Sequence, residues 1–197
     1  MEQKIKAIIE KIDSLNESLK LEYSRLADKY GFSIRKSAII FFEKNRVRNR
    51  KFRIPTWKYV IPKNFRHFIS IPFIYMMIIP AVILDFFATL YVWTAFPLYK
   101  IPGVNRSDHF IYERRFLDYL NIVQKINCIY CSYVNGLFSY ATEIGARTER
   151  YWCPVKAAHQ PKSYHDWYKD FADYGNPEEW DTKFNEHGCF INIDKVK

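Results

Sequence analysis

Between Met1 and Tyr30 the apolar residues Ile5, Ile8, Ile12, Leu15, Leu19 and Leu26 recur at spacings of three and four, with Glu22 interrupting the row. That period draws one stripe along an α-helix, and Gly31 supplies a stop signal. A stripe this narrow suits a coiled-coil seam, and hence a homo- or hetero-oligomer, or docking onto the rest of the chain. Over residues 32–67 the pattern changes to basic and aromatic side chains interleaved. From Phe68 to Tyr99 polar positions almost vanish: the stretch FISIPFIYMMIIPAVILDFFATLYVWTAFPLY holds no Lys or Arg and one carboxylate, Asp85. Helical periodicity returns over Ile126–Glu149, where Ile126, Ile129, Tyr130, Tyr133, Leu137, Tyr140, Ala141 and Ile144 share one face.

The apolar stretch is longer than the roughly 20 residues a straight bilayer span needs. The reading divides the chain into four parts. Residues 1–31 are an amphipathic helix, 32–67 a juxtamembrane segment, 68–99 a membrane segment and 100–197 a cytoplasm-facing helical domain. The fold class expected is mainly α, a helical membrane-attached protein with one apolar transmembrane or re-entrant segment and a small Cys-containing helical domain. Pro80 lies near the middle of the segment, where it removes a hydrogen bond and bends the helix. Pro72 and Pro97 mark its edges. Bases flank both ends (Lys100, Arg106, Arg114 and Arg115 on the far side), which favours a hairpin entering and leaving one face over a single span. Asp85 is costly at membrane depth. It is expected to fix the helix break as an acceptor, to relay protons or to meet a headgroup, unless it is hydrated at an interface.

Charge sharpens this picture. The net +9 has one source: between Ser33 and His67 eleven Lys and Arg face Glu43 alone. Such a block can bind nucleic acid. Next to an apolar segment it reads instead as a collar on an anionic membrane surface, carried by Arg46, Arg48, Arg50, Lys51, Arg53, Trp57 and Lys58. Nucleic acid becomes a minor alternative. Aromatics at 18% with 6 Gly favour helices over a turn-rich β protein. Four cysteines are too few for a disulfide scaffold, and Met1–Tyr30 is too charged for a signal peptide, so a reducing setting is expected.

The cysteines carry the candidate chemistry. On the helix a second line holds Cys128, Cys131, Asn135, Ser139, Thr142, Ala146, Glu149 and, if continued, Cys153. A structural zinc site wants four Cys or His ligands. Cys128 and Cys131 form the one short-spaced pair; Cys153, Cys189, His159, His165 and His187 are candidates to complete it with Zn or Fe. Cys153 can join only if the helix ends near Gly145 and the chain doubles back. Packing thiols are the plain alternative. Arg147 and Glu149 read as helix-surface charges, or as groups that orient ligands or bind a headgroup.

Five runs carry a resemblance: IIPAVILDFF, FPLYKIPGV, CIYCSYVNG, RTERYWCPVK and HDWYKDFADYG. Over roughly residues 72–175 the chain resembles an uncharacterised group of bacterial membrane proteins. The resemblance implies the same architecture, a place at the bacterial cytoplasmic membrane, and one shared pattern comprising Asp85, Cys128, Cys131, Asn135, Arg147, Glu149, Cys153 and His165. In that group a His directly follows the lysine of the CPIK motif, whereas here Ala157 follows and the nearest is His159. That weakens a Cys/His ligand set through this segment. Three functions are expected from these features. The first is a membrane-anchored metal or redox module. The second is an interfacial enzyme acting on a lipid or lipid-linked substrate through Asp85, Glu149 or His165, which calls for a cavity joining the apolar segment to these groups. The third is an accessory subunit of a membrane complex.

Overall fold

The computed structural model describes residues 2–35, 38–61, 65–159 and 161–185, so Cys189 and His187 lie outside the described residues. It is mainly helical. In chain order it has α1 (Glu2–Tyr30), β1 (Phe32–Arg35), β2 (Ala38–Phe41), α2 (Glu43–Arg50), α3 (Thr56–Val60), α4 (Phe65–Met76), α5 (Ile78–Tyr99), α6 (Ile122–Trp152) and α7 (Pro177–Asn185). The chain divides into two units: Met1–Pro62 with Glu113–Ile129, and Lys63–Tyr112 with Tyr130–Lys197.

In the first unit α1 ends at Gly31, whose φ of 66° is the left-handed conformation that glycine adopts without strain. A short antiparallel hairpin follows, with Phe32 opposite Phe41, so the basic-aromatic stretch is partly strand. The unit also holds the start of α6. Asn121 and Gln124 form a reciprocal cap there: the Asn121 side chain accepts from the Gln124 amide at 2.9 Å, and the Gln124 side chain accepts from the Asn121 amide at 3.0 Å. Asn121 is fully buried and also donates to the Ile54 carbonyl, tying the loop before α3 to this cap.

The second unit is built on α4–α5. The break between them is one residue, Met77, and its cause is Pro80. A proline has no N–H for the carbonyl four residues back, and its ring crowds that carbonyl, which belongs to Met76, the last residue of α4. Met77 keeps right-handed angles, so the chain kinks rather than reverses. Its neighbour α6 shows the same direction. Tyr130 donates to the Ile74 carbonyl at 2.6 Å, Tyr133 to Asp85, Tyr91 and Thr148 meet at 3.2 Å, and Tyr151 packs at a tilt on Tyr99. These contacts advance together along one unbroken helix. The hairpin expected at Pro80 is therefore corrected to a kinked, continuous segment.

At Tyr99 the chain does turn. Lys100 takes a left-handed φ of 55°, its N–H bonds the Pro97 carbonyl, and the Ile101 N–H bonds the Phe96 carbonyl at 2.9 Å. These paired bonds close the helix and aim the chain back along it. Residues 101–112 then run antiparallel to α6: Arg147 donates to the carbonyls of Pro102 and Gly103, His109 meets Ser139, and Phe110 lies on Gly136. Gly136 permits this approach, because a Cβ there would lie 3.0 Å from the His109 carbonyl oxygen. Ala81, Phe96, Ile101, Val104, Leu137, Tyr140 and Ile144 form the core between α5, this return segment and α6.

Candidate functional site

α5 has an inner and an outer face. Ala81, Asp85, Ala88, Val92 and Phe96 fall at spacings of three and four on the inner side, which packs on α6 and the return segment. Outside, Ile83, Phe86, Phe87, Leu90 and Trp93 are exposed, Trp93 by 83 %. Only 6 % of the most apolar stretch of Phe68–Tyr99 is buried. One long apolar helix thus meets its surroundings with hydrocarbon and turns its carboxylate inward.

That carboxylate is the centre of a polar cluster. Arg106, in the return segment, forks onto Asp85 with Nη1 to Oδ1 at 2.6 Å and Nη2 to Oδ2 at 3.0 Å. Tyr133 of α6 donates to Oδ2 at 2.9 Å, and Thr89, one turn along α5, donates to Oδ1 at 3.4 Å. Arg106 Nη1 also donates to Thr89, and the guanidinium stacks over Phe110 and Tyr140 at 4.4 and 5.0 Å from their centroids. Burial, and then its bond to Asp85, push the Tyr133 hydroxyl up to about 12, so it remains a donor through the physiological range. Asp85, Thr89 and Arg106 line a cavity of about 440 Å³ with Val82, Phe86, Leu90 and Trp93.

Sequence reasoning counted Arg106 as one flanking base among four and missed its role. The signal was present: a carboxylate at membrane depth needs a cation, and Arg106 is near in sequence. What the sequence did not show was the turn at Lys100 that brings the chain back.

Glu149 and His165 lie elsewhere. His165 Nε2 meets Glu149 Oε2 at 2.9 Å, with the ring against Phe171 at 5.4 Å. His165 Nδ1 is buried with no hydrogen-bond partner among the described residues. Glu149, Thr148 and Cys153 border a second cavity of about 480 Å³, walled by Leu84, Ala88, Tyr91 and Ile144. Leu84, Ala88 and Tyr91 occupy the side of α5 opposite Val82, Phe86 and Trp93. Asp85 and Glu149 thus each border a cavity that α5 also lines, but the two cavities are different, and His165 meets Glu149 without lining either.

The described cysteines do not converge on one site. Gly145 is interior to α6, which runs unbroken to Trp152. Cys131 and Cys153 are 22 residues apart on or just past that helix, about 33 Å at 1.5 Å per residue. The shared site expected of Cys128, Cys131, Cys153 and His159 is thus corrected: the unbroken helix α6 separates Cys131 from Cys153. Among the described residues no three or more of Cys, His, Asp and Glu are placed to hold a metal ion. All three described cysteines are free, with Cys131 and Cys153 exposed. Although Cys153 is exposed as a residue, partial desolvation of its thiol, and then the Glu149 charge, push it above its usual range. His159 is exposed in the loop after Cys153.

In the basic collar Arg48, Arg50, Lys51, Arg53, Trp57 and Lys58 are exposed, and Lys58 lies 5.3 Å from the Trp57 ring. Arg46 differs. It reaches Asp118 at 3.5 Å and Glu43 at 3.8 Å, which commits part of its charge inside the first unit.

Searches against protein-family models, curated proteins and solved structures return no match. The residues themselves must carry the functional reading.

Proposed function

We propose that this chain is a membrane-anchored protein held in one leaflet, with α4–α5 lying in the acyl region and the return segment and α6 covering its inner face. The observation that carries this reading is α5 itself, whose apolar outer face is left uncovered while its one carboxylate is turned inward, with 6 % of the most apolar stretch of residues 68–99 buried. A core helix of a water-soluble protein is covered by its own chain; this one is left for another solvent.

A perpendicular crossing fits less well. Residues 101–112 carry irregular backbone, Arg106 and Asp108 alongside α5. Within hydrocarbon such backbone finds no water to satisfy it. At about 48 Å, 32 residues of helix also exceed a hydrocarbon core of about 30 Å. A helix lying near the interface relieves both problems. The exposed bases of the collar, which precede α4 in sequence, favour an anionic leaflet.

Topology tests this directly. With native cysteines replaced by Ser, Arg53→Cys and Lys100→Cys in sealed inverted vesicles should label from the same side with an impermeant maleimide. Labelling from opposite sides would establish a span and overturn the one-leaflet reading.

A second role, self-association or recruitment of a helical partner, is favoured by α1. Leu15, Leu19 and Leu26 of its stripe are exposed, and helices in proteins draw most of their stability from packing such an apolar face. Removing residues 2–30 should lower the mass measured by light scattering in detergent; an unchanged mass would exclude self-association through α1.

A further inference from the structure

We propose that the groove beside Asp85 and Arg106 is a specific site for an acyl lipid, with a neutral ester carbonyl on Arg106 and the acyl chain along α5. The polar inventory selects the head. Asp85 accepts from Arg106 twice, from Thr89 and from Tyr133, which fills the lone pairs of a carboxylate. It has no capacity left for a ligand donor. The Arg106 side chain, by contrast, is 41 % exposed and borders the groove. Its two bonds to Asp85, its bond to Thr89 and its hydrogen bond with Tyr140 use four of the five N–H groups of a guanidinium, which leaves one donor. The site therefore asks for an acceptor.

Charge narrows the choice further. Asp85 and Arg106 already neutralise one another, so a free carboxylate would bring an unpaired charge into an apolar groove. An ester or amide carbonyl brings none. The walls select the tail: Val82, Phe86, Leu90 and Trp93 run along about 17 Å of helix, and the cavity of about 440 Å³ has the size of a small-ligand site. The proposal rests on the membrane reading only in that a leaflet supplies the lipid.

Trp93 provides the readout, since bromine on a bound chain quenches a neighbouring indole. The full chain in an ester-free maltoside detergent is titrated with dibromostearic acid methyl ester, with free dibromostearic acid at pH 8, and with dibromooctadecane. The ester should quench saturably at about one equivalent, and Trp93→Phe should abolish that saturable part. The hydrocarbon should bind about tenfold more weakly, the worth of one hydrogen bond to a charged donor. Arg106→Lys, which keeps the charge but loses the fork, should weaken the ester by a similar factor of about ten. Should Arg106→Lys not fold, Phe86→Ala removes an exposed wall and should lower ester affinity severalfold with an unchanged melting curve. Equal affinity for ester and hydrocarbon, tighter binding of the acid, or quenching that never saturates would overturn the site. Failure of the protein to float with vesicles while ester quenching persists would overturn the membrane reading instead.

Discussion

α5 and α6 run side by side in the same direction and obey opposite rules. α5 hides one carboxylate and shows hydrocarbon. α6 shows Cys131, Asn135, Ser139 and Thr142, and buries Leu137, Tyr140 and Ile144. A helix pair in water would bury the apolar faces of both. Here α5 leaves most of its apolar surface uncovered while α6 turns polar groups outward, and the one-leaflet reading proposed above accounts for that contrast by giving the two helices different surroundings.

The comparison can be broken at either helix. The largest effect is expected on the outer face of α5. Phe87→Lys should weaken membrane partitioning by about 2–3 kcal/mol in vesicle flotation, yet leave the melting temperature in detergent unchanged, because Phe87 packs on little of its own chain. A fall in melting temperature instead would mean the outer face is covered by protein. On the inner face the pattern should reverse. Asp85→Ala leaves Arg106 without its partner and should cost about 2 kcal/mol of folding stability, less than a deeply buried pair because Arg106 is partly open. The matched Asp85→Asn should cost less, since it keeps acceptors for Arg106 and Tyr133.

Gly136→Ala tests α6 where the return segment touches it. A Cβ 3.0 Å from the His109 carbonyl and from Phe110 should cost about 1–2 kcal/mol and loosen residues 101–112, read by hydrogen exchange. Gly145→Ala, with open space around it, should be neutral or slightly stabilising in the same helix.

The smallest effect concerns Cys153. Its raised pKa means the folded state holds the thiol proton at pH values where the unfolded chain has released it. The associated stability is present below the unfolded pKa near 9 and is lost as pH rises through the folded value. With the other cysteines replaced by Ser, the pH midpoint for alkylation of Cys153 should lie above that of a short peptide thiol. Glu149→Gln should move it part of the way back; no movement would leave burial as the sole cause.

The apolar segment and the helix carrying the cysteines were legible because their signals are local and periodic. So was the break at Pro80, since a proline acts on the carbonyl four residues earlier. Its consequence, a kink instead of a hairpin, depended on α6 lying alongside, which no local pattern records. Gly145 misled for the same reason: glycine weakens a helix by about 1 kcal/mol, and the Arg147 bonds to Pro102 and Gly103 lie on the turn that follows it. The Asn121–Gln124 cap is local as well, an Asn followed three residues later by a Gln. Arg106 was readable only as a requirement, a cation owed to Asp85, and not as a position.

The left-handed turn at Lys100 has a consequence for biosynthesis. Arg106 is 21 residues downstream of Asp85. At about 5–20 residues per second it emerges roughly one to four seconds after its partner. On the one-leaflet reading proposed above, α5 would meet lipid during that interval with its carboxylate uncompensated, a state that favours the protonated acid. Closure of the return segment would then exchange that proton for an arginine, making the ion pair a latch that sets only after the helix has been delivered.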